Sequence, residues 1–205
     1  MKVLLINGSP NAAGNTYIAL NEMVKVFADN NIETEIVHVG NKVVRGCIGC
    51  RKCRENGKCV FDDVVNETAP KFAECDGLVV GSPVYYASAN GTMISFLDRL
   101  FFSSSFDKRM KVGASVVAAR RGGLSSTFDG LNKYFSICGM PIASGQYWNS
   151  VHGRVPGEAT YDEEGLQGMR TLANNMVFLM KAIALGKKEF GLPEREQPIM
   201  TNFVR

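Results

Sequence analysis

The chain reads as an α/β domain built on a doubly wound, five-stranded parallel sheet with helices on both faces. Two patterns predict this class. Short β-type runs rich in apolar residues recur at wide spacing, at residues 3–6, 35–39, 78–80, 112–118 and 142–148. Stretches with a helical repeat separate them. Strands without a polar face must be covered on both sides, and alternation of strand with helix makes the crossovers that parallel strands need.

Each element has its own justification. The run at 3–6 stops at Gly8 and Pro10. Residues 17–27 then place Ile18, Met23, Val24 and Phe27 near one stripe. After the second strand, residues 64–75 are predicted as a short or broken helix, because Pro70 disfavours a helical Ala69. Asp62 and Asp63 ahead of it read as an N-terminal cap. Residues 93–101 put Met93, Phe96, Leu97 and Leu100 on one face, and 128–137 and 166–185 behave similarly. Cys75 and Cys138 fall in helical segments and read as core thiols. One domain is expected over 1–205, with a cysteine-rich insert at 45–63 and a C-terminal arm at 187–205. The arm carries Ile199, Met200, Phe203 and Val204, apolar residues that suggest docking.

At 205 residues and 45% hydrophobic content, the chain can bury one sizeable core. The net charge of +3 comes without a Lys/Arg block, so a nucleic-acid partner is not expected. The first apolar run is too short for a signal peptide, and Lys181 interrupts the most apolar late segment. A membrane partner is therefore not expected either. The expected compartment is the cytoplasm, where structural disulfides are disfavoured.

Cys47, Cys50, Cys53 and Cys59 form a C-x2-C-x2-C-x5-C run. Three cysteines at x2-x2 spacing look like iron–sulfur ligation, and with a single run all four would serve one [4Fe–4S] cluster. Zinc usually takes two short pairs split by a longer spacer, and four bare or redox-active thiols are the remaining reading. The basic stretch at 45–58 compensates an anionic thiolate cluster, docks an acidic electron partner, or is a solvated loop.

Three loops leave strands at the end where open α/β sheets bind ligands. The first, residues 8–16, lacks both the G-x-G-x-x-G and the Gly-Lys-Ser/Thr signatures. It offers Ser9, Asn15, Thr16 and free amides at a helix start, which suits a single phosphate, as on a mononucleotide. The plainer alternative is an ordinary helix cap. The second, residues 81–91, is stiffened by Pro83 and brings flat tyrosine surfaces. In the third, Gly122 and Gly123 let the backbone approach a ligand edge, and Arg120 or Arg121 is placed to stabilise an anionic ring. Trp148 and His152, beyond the fifth strand, either line the substrate side or are packing and solvated residues.

Together these residues resemble the NAD(P)H-dependent FMN reductases of the flavodoxin superfamily. The G-S-P-x-x-x-G-N-T loop carries the resemblance to the reductases. The cysteine run, Pro83-Val84-Tyr85 and Gly122-Gly123 resemble the iron–sulfur flavoprotein branch. The resemblance implies a flavodoxin-like fold. It implies an FMN phosphate site at Ser9, Asn15 and Thr16, with Asn11 standing where the family often has a basic residue. Pro83, Val84 and Tyr85, with Asn90 and Gly91, would contact the flavin ring. Arg121, Gly122 and Gly123 would form its pyrimidine edge, with Arg121 stabilising negative charge on the reduced ring. Cys47, Cys50, Cys53 and Cys59 would hold the cluster. The implied activity is electron transfer from NAD(P)H to a small acceptor such as a quinone, nitro or azo compound or free flavin. The alternative is an electron carrier that exchanges electrons with ferredoxin. A regulatory module that has lost its cofactor is disfavoured by the intact loops. A homodimer or homotetramer is expected, because one such domain leaves the flavin ring exposed.

Overall fold

Five parallel strands form the sheet, and their order follows from one reversal of direction. The computed structural model describes residues 1–201 and 203. The chain starts in the centre with β1 (Lys2–Asn7), returns through α1 (Asn15–Asp29), and pairs β2 (Glu33–His38) on one side. It then passes through α2 (Cys53–Asn56) and α3 (Val64–Glu74) to β3 (Gly77–Tyr85) on the other side of β1. Growth continues outward through α4 (Gly91–Ser103), β5 (Val112–Ala119), α5 (Leu124–Ser136) and β6 (Ser150–His152). A 3-10 turn at Glu158–Tyr161 leads into α6 (Glu163–Phe190). The resulting order is β2–β1–β3–β5–β6. The direction of growth reverses between β1 and β3, so the loops leaving their carboxyl ends diverge and open a crevice.

Side chains alternate across each strand, which splits the core in two. Val3, Leu5 and Val79 pack with α1 and α6. Leu4, Ile6, Leu78 and Val80 pack with α3, α4 and α5. Each such fully buried side chain contributes roughly 1.5–3 kcal/mol. Both faces of the central strands are covered, as their unbroken apolar runs require.

Four expectations are corrected. A sixth strand, β4 (Ser88–Ala89), folds back on the end of β3 as a short antiparallel ribbon, Tyr85 pairing with Ser88. The last parallel strand is β6, not residues 142–148. Ile142 makes only an isolated bridge to Gly113. The buried Asn149 then takes the ladder's place, donating from Nδ2 to Ser115 O (3.1 Å) and accepting at O from Val117 N (3.0 Å). Residues 146–148 therefore leave the sheet before β6 forms. Pro70 does not break α3. Val65, Thr68 and Phe72 bury its inner face, the Phe72 ring meets Phe101 and Phe106 at 5.4 and 5.0 Å, and Pro70 sits on the exposed side. Burial there outweighs one missing hydrogen bond. Finally, α6 continues to Phe190, so the arm starts at Gly191 rather than at 187. Val204 of that arm lies outside the described residues. Among the described residues no helix is long and apolar enough to cross a membrane.

Candidate functional site

The loop between β1 and α1 is held by its own side chains. Asn7 accepts from Ser9 N at Oδ1 (3.0 Å) and donates from Nδ2 to Ala12 O (3.2 Å). Ser9 Oγ accepts from Asn11 N at 3.2 Å. The helix that follows is uncapped. Gly14 at the N-cap has no side chain to offer, and the first turn holds no acid. Among the described residues the first amides of α1 thus lack an intrahelical or side-chain capping partner, at the positive end of a 15-residue helix. With the buried hydroxyls of Ser9 and Thr16 beside them, they form a seat for an anion.

Three further segments wall this seat into a cleft of about 200 Å3. Pro83, Val84 and Tyr85 come from the end of β3, and Ala118, Ala119 and Arg120 from the end of β5. Gly153, Arg154 and Pro156 follow β6. Asn15 ties that last segment across the cleft. Its Oδ1 accepts from Gly157 N (3.1 Å) and Ala159 N (3.0 Å), and its Nδ2 donates to Val155 O (3.0 Å). Gly153 passes so close that a Cβ there would lie 2.6 Å from Asn15 Nδ2.

The β3–β4 hairpin turns on Tyr86 and Ala87, both non-glycine residues with positive φ (51° and 59°). Two-residue hairpins of this hand favour Asn-Gly, so the turn is strained. It is buttressed from α5. Ser126 Oγ donates to Ala87 O at 2.8 Å, and a Cβ on Gly123 (φ +85°) would lie 2.8 Å from Ala87 Cα.

The expected site residues therefore fall into two groups. Ser9, Asn11, Asn15, Thr16, Pro83, Val84 and Tyr85 line the cleft. Asn90, Gly91, Arg121, Gly122 and Gly123 stand outside its lining. Asn90 is a buried clamp: it caps α4 by accepting from Met93 N (2.9 Å), and its Nδ2 donates to Gly8 O. Gly91 is exposed at the start of α4, and Gly123 is a buttress. Both Arg120 and Arg121 are exposed, and Arg120 is the one that lies along the cleft. The Asn15 carboxamide is occupied by the clamp, which leaves its backbone amide for an anion. Trp148 and His152 line a separate hollow of about 310 Å3 with Tyr147 and Asp162, which shares no residue with the cleft.

Cys47, Cys50, Cys53 and Cys59 line one hollow, whose remaining wall includes Ile48, Val60, Phe61, Phe102 and Arg99. Four thiols along one apolar-walled recess are a sulfur-only donor set of the kind that iron–sulfur groups take. Among the described residues no three His, Cys, Asp or Glu side chains close on a single-ion site. The sequence reading missed Arg99. It is 1% exposed, and all five of its N–H donors are engaged. Nε donates to Cys59 Sγ (3.2 Å), Nη1 to Asp63 Oδ2 (2.7 Å) and Arg45 O (3.2 Å), and Nη2 to Asp63 Oδ1 (3.0 Å) and Phe61 O (3.1 Å). Burial opposes its charge, but the Asp63 carboxylate and the Cys59 sulfur outweigh burial and raise its pKa. Its signal in the sequence is a charged residue three positions after Phe96, at the edge of an apolar stripe. Asp63 accepts from Val65 N (3.1 Å) as the cap of α3, as expected.

A flavodoxin-type sheet with an anion seat at its switch point defines a mononucleotide-binding protein. Residues 1–154 match the NADPH-dependent FMN reductase family, and the chain belongs to it. It is an FMN-binding flavin oxidoreductase. An iron–sulfur flavoprotein of Methanocaldococcus jannaschii is 34% identical over 191 residues, covering 89% of this chain and 99% of that protein. The fold is shared with RosB, solved with a bound formylated riboflavin-phosphate intermediate (TM-score 0.72, 14% identity, 100% and 92% of the two chains). It is also shared with an archaeal flavodoxin (TM-score 0.61, 15% identity, 88% and 99%).

Proposed function

We propose that this chain passes electrons from NAD(P)H through FMN to a small acceptor, a quinone, nitro or azo compound or free flavin. The observation that carries this reading is the uncapped start of α1 facing a cleft with flat walls. The anion seat takes the FMN phosphate through the first amides of α1, Ser9 and Thr16. Pro83, Val84 and Tyr85 would contact its ring, and Arg120, on the cleft lining, would balance negative charge there. Bound there, FMN would supply hydride acceptance and the return of one or two electrons. The protein's task is to orient the ring and leave one face open to donor and acceptor. Stopped-flow mixing of the FMN-loaded protein with NADH and with NADPH tests the reading. Rapid flavin bleaching by either supports it, and none by both rejects it.

The four-cysteine hollow favours a second reading, in which the chain serves as a one-electron carrier. The named iron–sulfur flavoprotein relative supports it. Cys47, Cys50, Cys53 and Cys59 would hold a [4Fe–4S] cluster, which would supply single-electron chemistry. The basic residues Arg45, Arg51, Lys52, Arg54 and Lys58 around it suit an acidic partner such as ferredoxin. Anaerobic purification with iron, sulfide and flavin analysis separates the two readings. About four irons per chain with FMN establishes the carrier chemistry, and FMN without iron leaves the reductase alone.

A further inference from the structure

The four cysteines of the hollow are held very unequally. No hydrogen bond among the described residues holds Cys47 or Cys50, and both are exposed. Cys59 is gripped at three atoms. Its N donates to Asn66 Oδ1 (3.0 Å), its O accepts from Asn66 Nδ2 (3.0 Å), and its Sγ accepts from Arg99 Nε (3.2 Å). Arg99 also holds Arg45 O and Phe61 O, on either side of the cysteine run, and is itself locked by both oxygens of Asp63. Its guanidinium stacks over the Phe61 ring at 5.1 Å. A single side chain of α4 thus staples both ends of the insert and aims one donor at a sulfur.

We propose that Arg99 is the positioning residue of the cysteine centre. It presets Cys59 as the fixed corner on which the other three cysteines close, and its Nε–H to Cys59 Sγ raises the reduction potential of the cluster. This rests on the iron–sulfur reading above. A hydrogen bond to a ligating sulfur withdraws electron density and favours the reduced cluster, and a buried cation adds to that effect. An ion pair serving only to attach the insert to α4 would need the Asp63 contacts but not the donor aimed at Cys59. Lysine can keep the charge beside Asp63, but as a compact point charge it cannot reproduce the planar five-donor fork.

The test compares wild type, Arg99→Lys and Asn66→Ala. Asn66→Ala frees the Cys59 backbone but keeps the Arg99 donor, and it guards against misfolding of the arginine variant. In metal-free, reduced protein, alkylation of each cysteine by iodoacetamide is followed by peptide mass spectrometry. The limiting rate at high pH, where every thiol is ionised, should be at least about 10-fold higher for Cys59 in both variants, with Cys47 and Cys50 unchanged. After anaerobic reconstitution, the cluster midpoint potential is read by EPR-monitored titration. It should move negative in Arg99→Lys and stay at the wild-type value in Asn66→Ala. Unchanged Cys59 alkylation in Arg99→Lys overturns the positioning role. An unchanged potential in Arg99→Lys, or an equal shift in Asn66→Ala, overturns the sulfur donor. If wild type binds no iron, the iron–sulfur reading fails together with the potential-setting role, and alkylation still decides whether Arg99 positions Cys59.

Discussion

Asn15 separates two ways of building a phosphate site. Its carboxamide makes three hydrogen bonds to a segment about 140 residues away, and none is directed to the anion seat. Asn15→Ala removes all three. These bonds are partly exposed, so water replaces part of what is lost, and each contributes near the low end of about 0.5–1.5 kcal/mol. The expected loss is about 2 kcal/mol, which lowers the melting temperature of a chain this size by roughly 4–8 °C. Because the freed segment is one wall of the cleft, FMN affinity should also fall, by about tenfold. Urea unfolding of the apoprotein and flavin fluorescence quenching measure the two effects. A direct phosphate contact predicts the opposite pairing: weaker FMN binding with apoprotein stability intact. Apoprotein stability within about 0.5 kcal/mol of wild type would refute the clamp.

Three further outcomes follow from the same geometry. Ala87→Gly should stabilise the protein by about 0.5–1 kcal/mol in denaturant unfolding. The left-handed conformation costs alanine roughly 1–2 kcal/mol, and glycine gives part of that back as unfolded-state entropy. A loss of stability would show that the turn is not strained. Burial pushes the Cys75 thiol up from 9.0 to about 11, against the partial relief of Lys111 nearby. The folded state then holds the proton more tightly than the unfolded one. Its contribution is complete below pH 9 and declines by about 2–3 kcal/mol by pH 11. Stability profiles of wild type and Cys75→Ala should converge over that window, and parallel profiles would exclude it. We also propose that the exposed Ile199, Met200 and Phe203 hold a homodimer or homotetramer in which a neighbour covers the flavin ring. Truncation after Pro193 should reduce the solution mass measured by light scattering, and an unchanged mass would remove the arm's role.

The elements whose pattern is local were legible before the structure. The runs ending in β1, β3 and β5 are apolar on both faces, and α1 and α4 repeat at helical spacing, so strand, helix and doubly wound order could be read directly. Asp63 as a cap needed only its place before α3. What failed depended on distant partners. Pro70 looked like a break because its cost is local, whereas the burial of Phe72 against Phe101 and Phe106 is not. Residues 142–148 looked like a strand because Ile142, Ala143, Tyr147 and Trp148 are apolar, but the ladder bonds to β5 are made by Asn149 and β6 instead. The Asn15 clamp was not legible because its partners at Val155, Gly157 and Ala159 are far along the chain.

By itself, the sequence determined the sheet class, the loops that surround the mononucleotide cleft and the four cysteines of the insert. All of these are written in nearest-neighbour periodicity and spacing. Only the tertiary structure decided which arginine borders the cleft, Arg120 rather than Arg121, because the lining is set by where the end of β5 meets the α1 loop and the residues after β6. It also decided that the carboxamides of Asn15 and Asn90 clamp neighbouring segments. And it brought Arg99 to Cys59, 40 residues apart in sequence, so that a helix residue outside every motif became the anchor of the cysteine loop.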